Sequence, residues 1–145
     1  MEQENFSAEC ACDVWLRLLG DRWSLIIIRD IFKGKTTYTE FLASKENIAT
    51  NILNDRLKGL REKGIIDFRH DPANRRIKRY FLTDSGIDLY PIIYEIQKWT
   101  LKNISFELTE YGKKWKHLAD TSTEEQLVNH FQTDYLETRK AVFGF

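Results

Sequence analysis

Residues 48–82 read IATNILNDRLKGLREKGIIDFRHDPANRRIKRYFL, and the order of features along them decides the fold. Ile48, Ile52, Leu53, Leu57 and Leu60 recur at helical spacing and mark one apolar face, while Asn51, Asn54, Asp55 and Lys58 point the other way. Lys63-Gly64 closes that helix. Two runs rich in branched and aromatic residues follow, Ile65 to Arg69 and Ile77 to Leu82, and they bracket Asp71-Pro72-Ala73-Asn74, whose residue types favour a turn. The segment is read as a helix running into a hairpin. Short amide and hydroxyl side chains on the first half of such a helix, with arginines on the hairpin beyond it, match the demands of a DNA groove and its flanking phosphates.

Toward the N-terminus, Val14, Trp15, Leu18 and Leu19 give Cys12 to Leu19 a helical pattern that Gly20 ends. Asp21 can cap the next helix, a nearly all-apolar run from Trp23 to Phe32 that is expected to form the centre of the core. Lys33-Gly34-Lys35 closes it, and Thr37-x-x-Glu40 is a capping box opening a brief third helix through about Ala43. Toward the C-terminus, Thr83 or Ser85 is expected to start a long helix with Leu89, Ile92, Ile93, Ile96 and Trp99 on its apolar face. Pro91 lies within that pattern and requires a kink or a helix beginning close to it. Phe106, Leu108, Tyr111, Trp115 and Leu118 come next, then a capping signal at Ser122-x-x-Glu125 and a last helix carrying Leu127, Val128, Phe131 and Tyr135. The expected class is mainly α with a small β-hairpin (α+β). It is a winged helix-turn-helix over residues 1–103, dimerisation helices included, followed by a helical extension over 104–145.

Bulk properties narrow the field. A chain of 145 residues suits one domain with an appendage. No apolar run is long enough to cross a bilayer, and the opening MEQENFSAEC lacks the basic start and apolar stretch of a secretion signal, so a cytoplasmic location and no membrane partner are expected. Twenty-two basic and twenty-two acidic side chains cancel, yet residues 56–79 hold Arg56, Lys58, Arg61, Lys63, Arg69, Arg75, Arg76, Lys78 and Arg79 against Glu62, Asp67 and Asp71. A local basic patch on a neutral molecule is the footprint that phosphate binding requires; a merely solvated face is the open alternative. His70, His117 and His130 are scattered, and two cysteines one residue apart do not make a zinc framework. With no phosphate-binding glycine loop or nucleophile elbow either, neither an enzyme nor a cofactor is expected.

The chain resembles the HxlR-type regulators, a bacterial branch of the winged-helix proteins related to the MarR group. The resemblance rests on Cys10 and Trp23 within CACDVWLRLLGDRWSLIIIRDI, on TYTEFL from Thr37 to Leu42, on LNDRLKGLREKGII from Leu53 to Ile66, and on YFLTDSG from Tyr80 to Gly86. It covers roughly residues 10–103. Asp21 replaces the usual second glycine, Ala11 stands where a proline often follows the cysteine, and Ala49-Thr50 occupies the place of a Ser-Pro helix start, leaving Asn47 or Thr50 to compensate as cap.

Recognition helices lead into the major groove with their N-terminal residues, which makes Thr50, Asn51, Asn54 and Asp55 the base-reading candidates, with Lys58 one turn on and nearer phosphate. Arg75, Arg76 and Lys78 at the hairpin tip are expected to supply affinity through phosphates or the minor groove, and Arg22 and Arg56 are further backbone candidates. The resemblance implies that Cys10, near the start of the first helix, senses oxidants or electrophiles; the reading from its residue type alone is a small buried apolar side chain. Cys12 is expected to face the core. Bridging the two within one chain would be strained, so an oxidised form is expected to join two subunits or capture a small thiol. Tyr90, Tyr94, Trp99, Phe106, Tyr111 and Trp115 offer more apolar surface than one helix hides and are expected at a subunit interface, unless the extension folds back over them.

The expected function is a homodimeric, sequence-specific regulator of transcription. It binds double-stranded DNA at a palindromic operator, with half-sites about 34 Å apart, and responds to an electrophile or oxidant through Cys10. Two alternatives stay open: a regulator answering a small-molecule inducer with no redox role, and a winged-helix protein-interaction module that does not bind DNA.

Overall fold

The computed structural model describes residues 9–145. In order they form α1 (Ala11–Leu19), α2 (Arg22–Phe32), α3 (Tyr38–Leu42), α4 (Thr50–Glu62), β1 (Ile66–His70), β2 (Lys78–Leu82), α5 (Asp84–Ile87), α6 (Tyr90–Asn103), α7 (Glu110–Thr121) and α8 (Glu124–Phe143). The chain separates into two compact units, one ending at Gly86 and one running from Ile87 to Phe145.

In the first unit, α2 is the central helix because its apolar face is continuous. Ile27, Ile28 and Ile31 are buried, as are Leu53, Leu57 and Leu60 of α4 and Phe81 and Leu82 of β2, and α2 packs against both elements. Asp21 starts α2 by accepting from the amides of Trp23 and Ser24 at 3.1 and 3.0 Å. The capping box on α3 forms as expected: Thr37 Oγ1 accepts from the Glu40 amide at 3.3 Å, and Glu40 Oε2 accepts from the Thr37 amide at 3.0 Å.

A polar cluster fixes the turn that leads into α4. Asp30 is buried, and it is satisfied by the Arg29 guanidinium at 2.7 Å, by Lys35 Nζ at 3.2 Å and by the Ser44 hydroxyl. Arg29 also grips Glu46 Oε1 at 2.6 Å. A buried carboxylate persists only with such complete pairing. The Arg29 hydrogen bond drives the Glu46 carboxyl down to about 2, against an opposing push from burial.

The start of α4 corrects one expectation. Ala49 is the N-cap and no side chain caps it; neither Asn47 nor Thr50 compensates. Asn47 instead takes a positive φ of 55° in the turn, a conformation that asparagine tolerates better than most residues. At the other end, Gly64 adopts φ 71°, and the amides of Ile65 and Gly64 reach back to the carbonyls of Leu60 and Arg61, both at 3.0 Å. That Schellman closure launches β1 directly from the helix.

β1 and β2 pair antiparallel with Ile66 opposite Leu82, Phe68 opposite Tyr80 and His70 opposite Lys78. The long helix expected from Thr83 or Ser85 is interrupted. Thr83 Oγ1 donates to the carbonyls of Gly64 and Ile65, α5 is a single turn, and α6 begins at Tyr90 with Pro91 in its first turn, where the missing amide costs nothing.

The second unit packs α8 against α6 and α7. Its core is aromatic: Tyr90 stacks on Phe131 at 4.9 Å, and Trp115 donates from Nε1 to the Tyr90 hydroxyl at 3.0 Å while lying against Tyr94. Tyr90, Tyr94 and Trp115 are thus buried within one chain, which corrects their expected place at an interface; Trp99, Phe106 and Tyr111 do remain exposed. The last helix starts one residue later than its sequence signal. Thr123 and Gln126 form the capping box, and Ser122 instead ends α7.

Candidate nucleic-acid interface

The outward face of α4 follows from its inward one. With Leu53, Leu57 and Leu60 buried, helical geometry turns Thr50, Asn51, Asn54, Asp55 and Lys58 to solvent, and all five are exposed. Lys58 lies 4.0 Å from Glu62 in an exposed pair of the kind that yields readily to a stronger partner.

The hairpin is held by its own polar groups. Asp71 Oδ1 accepts from the amides of Ala73 and Asn74 at 2.8 and 3.1 Å, and Asp71 Oδ2 holds Arg79 Nε at 2.5 Å. The Arg79 guanidinium, followed by those amides, keeps the Asp71 carboxyl below its usual range. Arg79 also reaches Thr36 Oγ1 at 3.1 Å, and the Tyr80 amide donates to the Thr36 carbonyl at 2.7 Å, so the strand is stitched to the start of α3. Above this anchored base, Arg75 and Arg76 are exposed and, among the described residues, make no ion pair. Lys78 lies 4.6 Å from the centre of the Phe68 ring, with Arg61 of α4 at 4.3 Å from the same centre.

Asn54 from α4 and Arg76 and Lys78 from the hairpin line one cavity of about 390 Å³, closed on its third side by Thr37, Tyr38 and Thr39 at the start of α3. An amide that can pair with a base edge and two cations that can neutralise phosphate therefore open onto the same space. This space belongs to a helix-turn-helix with a wing.

A profile of the HxlR-like helix-turn-helix family matches residues 18–108. The chain belongs to that family. It is 33% identical over 82 residues to YvaP of Bacillus subtilis, described as an uncharacterised HTH-type transcriptional regulator, a match spanning 57% of this chain and 76% of that one. Among solved structures, PA1607 aligns at a TM-score of 0.64 with 33% identity, over 72% of each chain. The redox regulator HypR in its oxidised form aligns at 0.59 with 26% identity, over 67% of this chain and all of HypR. Against this HxlR-like frame, α7 and α8 lie wholly beyond the matched residues.

Several of the sequence candidates are already engaged. Arg56 Nε bonds Asp21 Oδ2 at 2.8 Å and Arg56 Nη1 bonds Asp55 Oδ2 at 2.5 Å, so Arg56 and Asp55 hold α4 onto the cap of α2. Burial pushes the Asp21 carboxyl upward, but the Ser24 and Arg56 hydrogen bonds bring it net below its usual range. Arg22 lies exposed with its guanidinium 4.6 Å from the Trp23 ring centre and is not among the residues lining the cavity. Thr37, Tyr38 and Thr39 were missed; the capping box was the available signal, because it fixes the side chains at the open end of α3.

Cys10 is the N-cap of α1, and it is exposed. The backbone amides of Asp13 and then Cys12 lower its thiol pKa, favouring thiolate. Cys12 is also exposed, which corrects its expected core position: it shares the helix face of Trp15 and Leu19, but burial along α1 is complete only at Leu19 in its last turn, and the first turn, Ala11 to Asp13, is exposed. No helix among the described residues is long and apolar enough to cross a membrane.

Proposed function

We propose that this chain is a homodimeric, sequence-specific DNA-binding regulator of transcription, and that modification of Cys10 alters its affinity for DNA. The observation that carries the reading is the shared cavity, in which Asn54 faces the same space as Arg76 and Lys78. α4 enters the major groove, where Thr50, Asn51 and Asn54 read base edges, and the wing grips neighbouring phosphates through Arg75, Arg76 and Lys78. Family membership and relatives described as transcriptional regulators support it.

Dimerisation falls to the second unit. Ile96, Trp99, Ile104 and Phe106 stay exposed after α7 and α8 have packed, and Trp99 retains 61% of its surface. A second copy is the partner that an apolar surface of this kind fits. The resulting operator is palindromic, with half-sites about one helical turn apart.

The regulatory step begins with the Cys10 thiolate, whose exposure and lowered pKa suit it to attack. A hydroperoxide oxidises it to sulfenic acid as the O–O bond breaks; condensation with a thiol of the second copy or of a small molecule then gives a disulfide and water. HypR, described as a redox regulator, lends this step support. Mobility shifts with the chain's own upstream DNA test the whole reading. Retardation that weakens with salt and is relieved by peroxide in the natural protein but not in Cys10→Ser is expected. Salt-insensitive or absent retardation would remove the DNA-binding claim, and equal release of Cys10→Ser would remove the thiol claim.

A further inference from the structure

His70 ends β1 at the base of the wing loop, and its Nδ1 lies 2.8 Å from the carbonyl oxygen of Arg75. A carbonyl can only accept, so Nδ1 carries the proton and Nε2 is the basic nitrogen of the neutral ring. The contact spans the loop and fixes the backbone from which Arg75 and Arg76 project. Phe68 meets the imidazole edge to face at 5.4 Å and is itself flanked by Arg61 and Lys78.

The charges around this ring are mostly positive. Lys78 is its partner across the hairpin, Arg75 lies at the far end of the hydrogen bond, and Arg69 and Asp71 adjoin it on the chain. The nearby carboxylates are committed, Asp67 to Arg61 of α4 and Asp71 to Arg79 of β2. An imidazolium here would keep its bond to Arg75, since both ring nitrogens then donate, but it would stand among cations with no carboxylate to balance it. A DNA phosphate brought to the wing supplies the missing anion.

We infer that His70 is a positioning residue of the wing that also becomes a phosphate-facing cation when protonated, so that DNA binding takes up a proton at this ring. The inference rests on the DNA-binding reading above. Neutral His70 orders the loop through Nδ1; protonated His70 orders the same loop and adds a charge to Arg75, Arg76 and Lys78.

Binding of the full chain to a mixed-sequence DNA duplex of about three helical turns, titrated with salt at about pH 8 and about pH 6, tests this. The natural protein is expected to bind on the order of tenfold more tightly at the lower pH, with a salt dependence steeper by about one unit of slope. His70→Asn keeps a donor for the Arg75 carbonyl and is expected to match the natural protein at the higher pH while losing the pH response. His70→Ala, lacking the donor, is expected to be weaker than His70→Asn at both values. Full pH response in His70→Asn, or none in the natural protein, overturns the inference while leaving DNA binding intact. Absence of binding at either pH by the natural protein overturns the DNA-binding reading and this one with it.

Discussion

At the scale of single residues, reading and gripping fall to different side chains. Asn54 offers an amide to the cavity shared with the wing, whereas Arg76 offers a charge, and the two should fail differently when removed. Asn54→Ala is expected to cost about 1–3 kcal/mol on the preferred site and much less on other sequences, which competition binding with single-base operator variants would measure. Arg76→Ala is expected to weaken binding to all sequences alike and to flatten the salt dependence by about one unit of slope. The same unit shows which single-residue roles a sequence discloses. Asp21 was legible as a cap, because a cap acts within three residues, but its bond to Arg56 joins positions far apart in the chain and had no local signal. Arg56, expected on the DNA backbone, makes that bond to the cap of α2. Cys12 was misplaced because helical spacing puts it on the face of Trp15 and Leu19 but does not disclose that only the last turn of α1 is buried.

At the scale of elements, stability concentrates in the joints that aim α4 and the wing. Glu46, drawn down to about 2 by Arg29, contributes stability that is fully present above its unfolded value of 4.5 and is lost as pH falls from there toward 2. Glu46→Gln is therefore expected to lower stability at neutral pH by roughly 1–2 kcal/mol, the worth of a charged hydrogen bond at a partly exposed site. It should also show a shallower acid decline than the natural protein across that window in denaturant melts. Equal acid profiles would mean that the pair adds nothing to stability. Gly86 marks a second joint. A methyl group there would come within 2.3 Å of the Ile65 carbonyl oxygen, which is backbone and cannot yield, so Gly86→Ala should destabilise the protein sharply in thermal melts. Helix and hairpin positions were readable because caps, glycine stops and the switch of hydrophobic period from helix to strand are local. The break between α5 and α6 was readable only as an alternative at Pro91, since Thr83 closes α5 through carbonyls at Gly64 and Ile65, contacts no local pattern announces. The capping box at Thr123 was displaced by one residue because Ser122-x-x-Glu125 and Thr123-x-x-Gln126 carry equivalent chemistry.

At the scale of the whole molecule, the two units divide the work. The unit ending at Gly86 carries α4 and the hairpin, whose exposed groups are the ones proposed to meet DNA, and the unit from Ile87 onward carries an aromatic core of its own and an apolar surface left over. Tyr90, Tyr94, Trp99, Phe106, Tyr111 and Trp115 were expected at an interface unless the extension covered them, because sequence counts apolar surface without showing which of it α7 and α8 cover. Tyr90, Tyr94 and Trp115 are covered; Trp99 is not. Trp99→Glu is expected to yield monomers in sedimentation at concentrations where the natural chain is dimeric, and to weaken operator binding through loss of the second half-site while leaving the fold intact. The most direct test of the central claim is selection of bound sequences from a random duplex pool, run in parallel on the natural protein and Asn54→Ala. Enrichment of a two-fold site with half-sites about one turn apart, losing its preference at the same base pair of both halves in the variant, is the predicted result. An unenriched pool, or an identical site selected by both proteins, would contradict it.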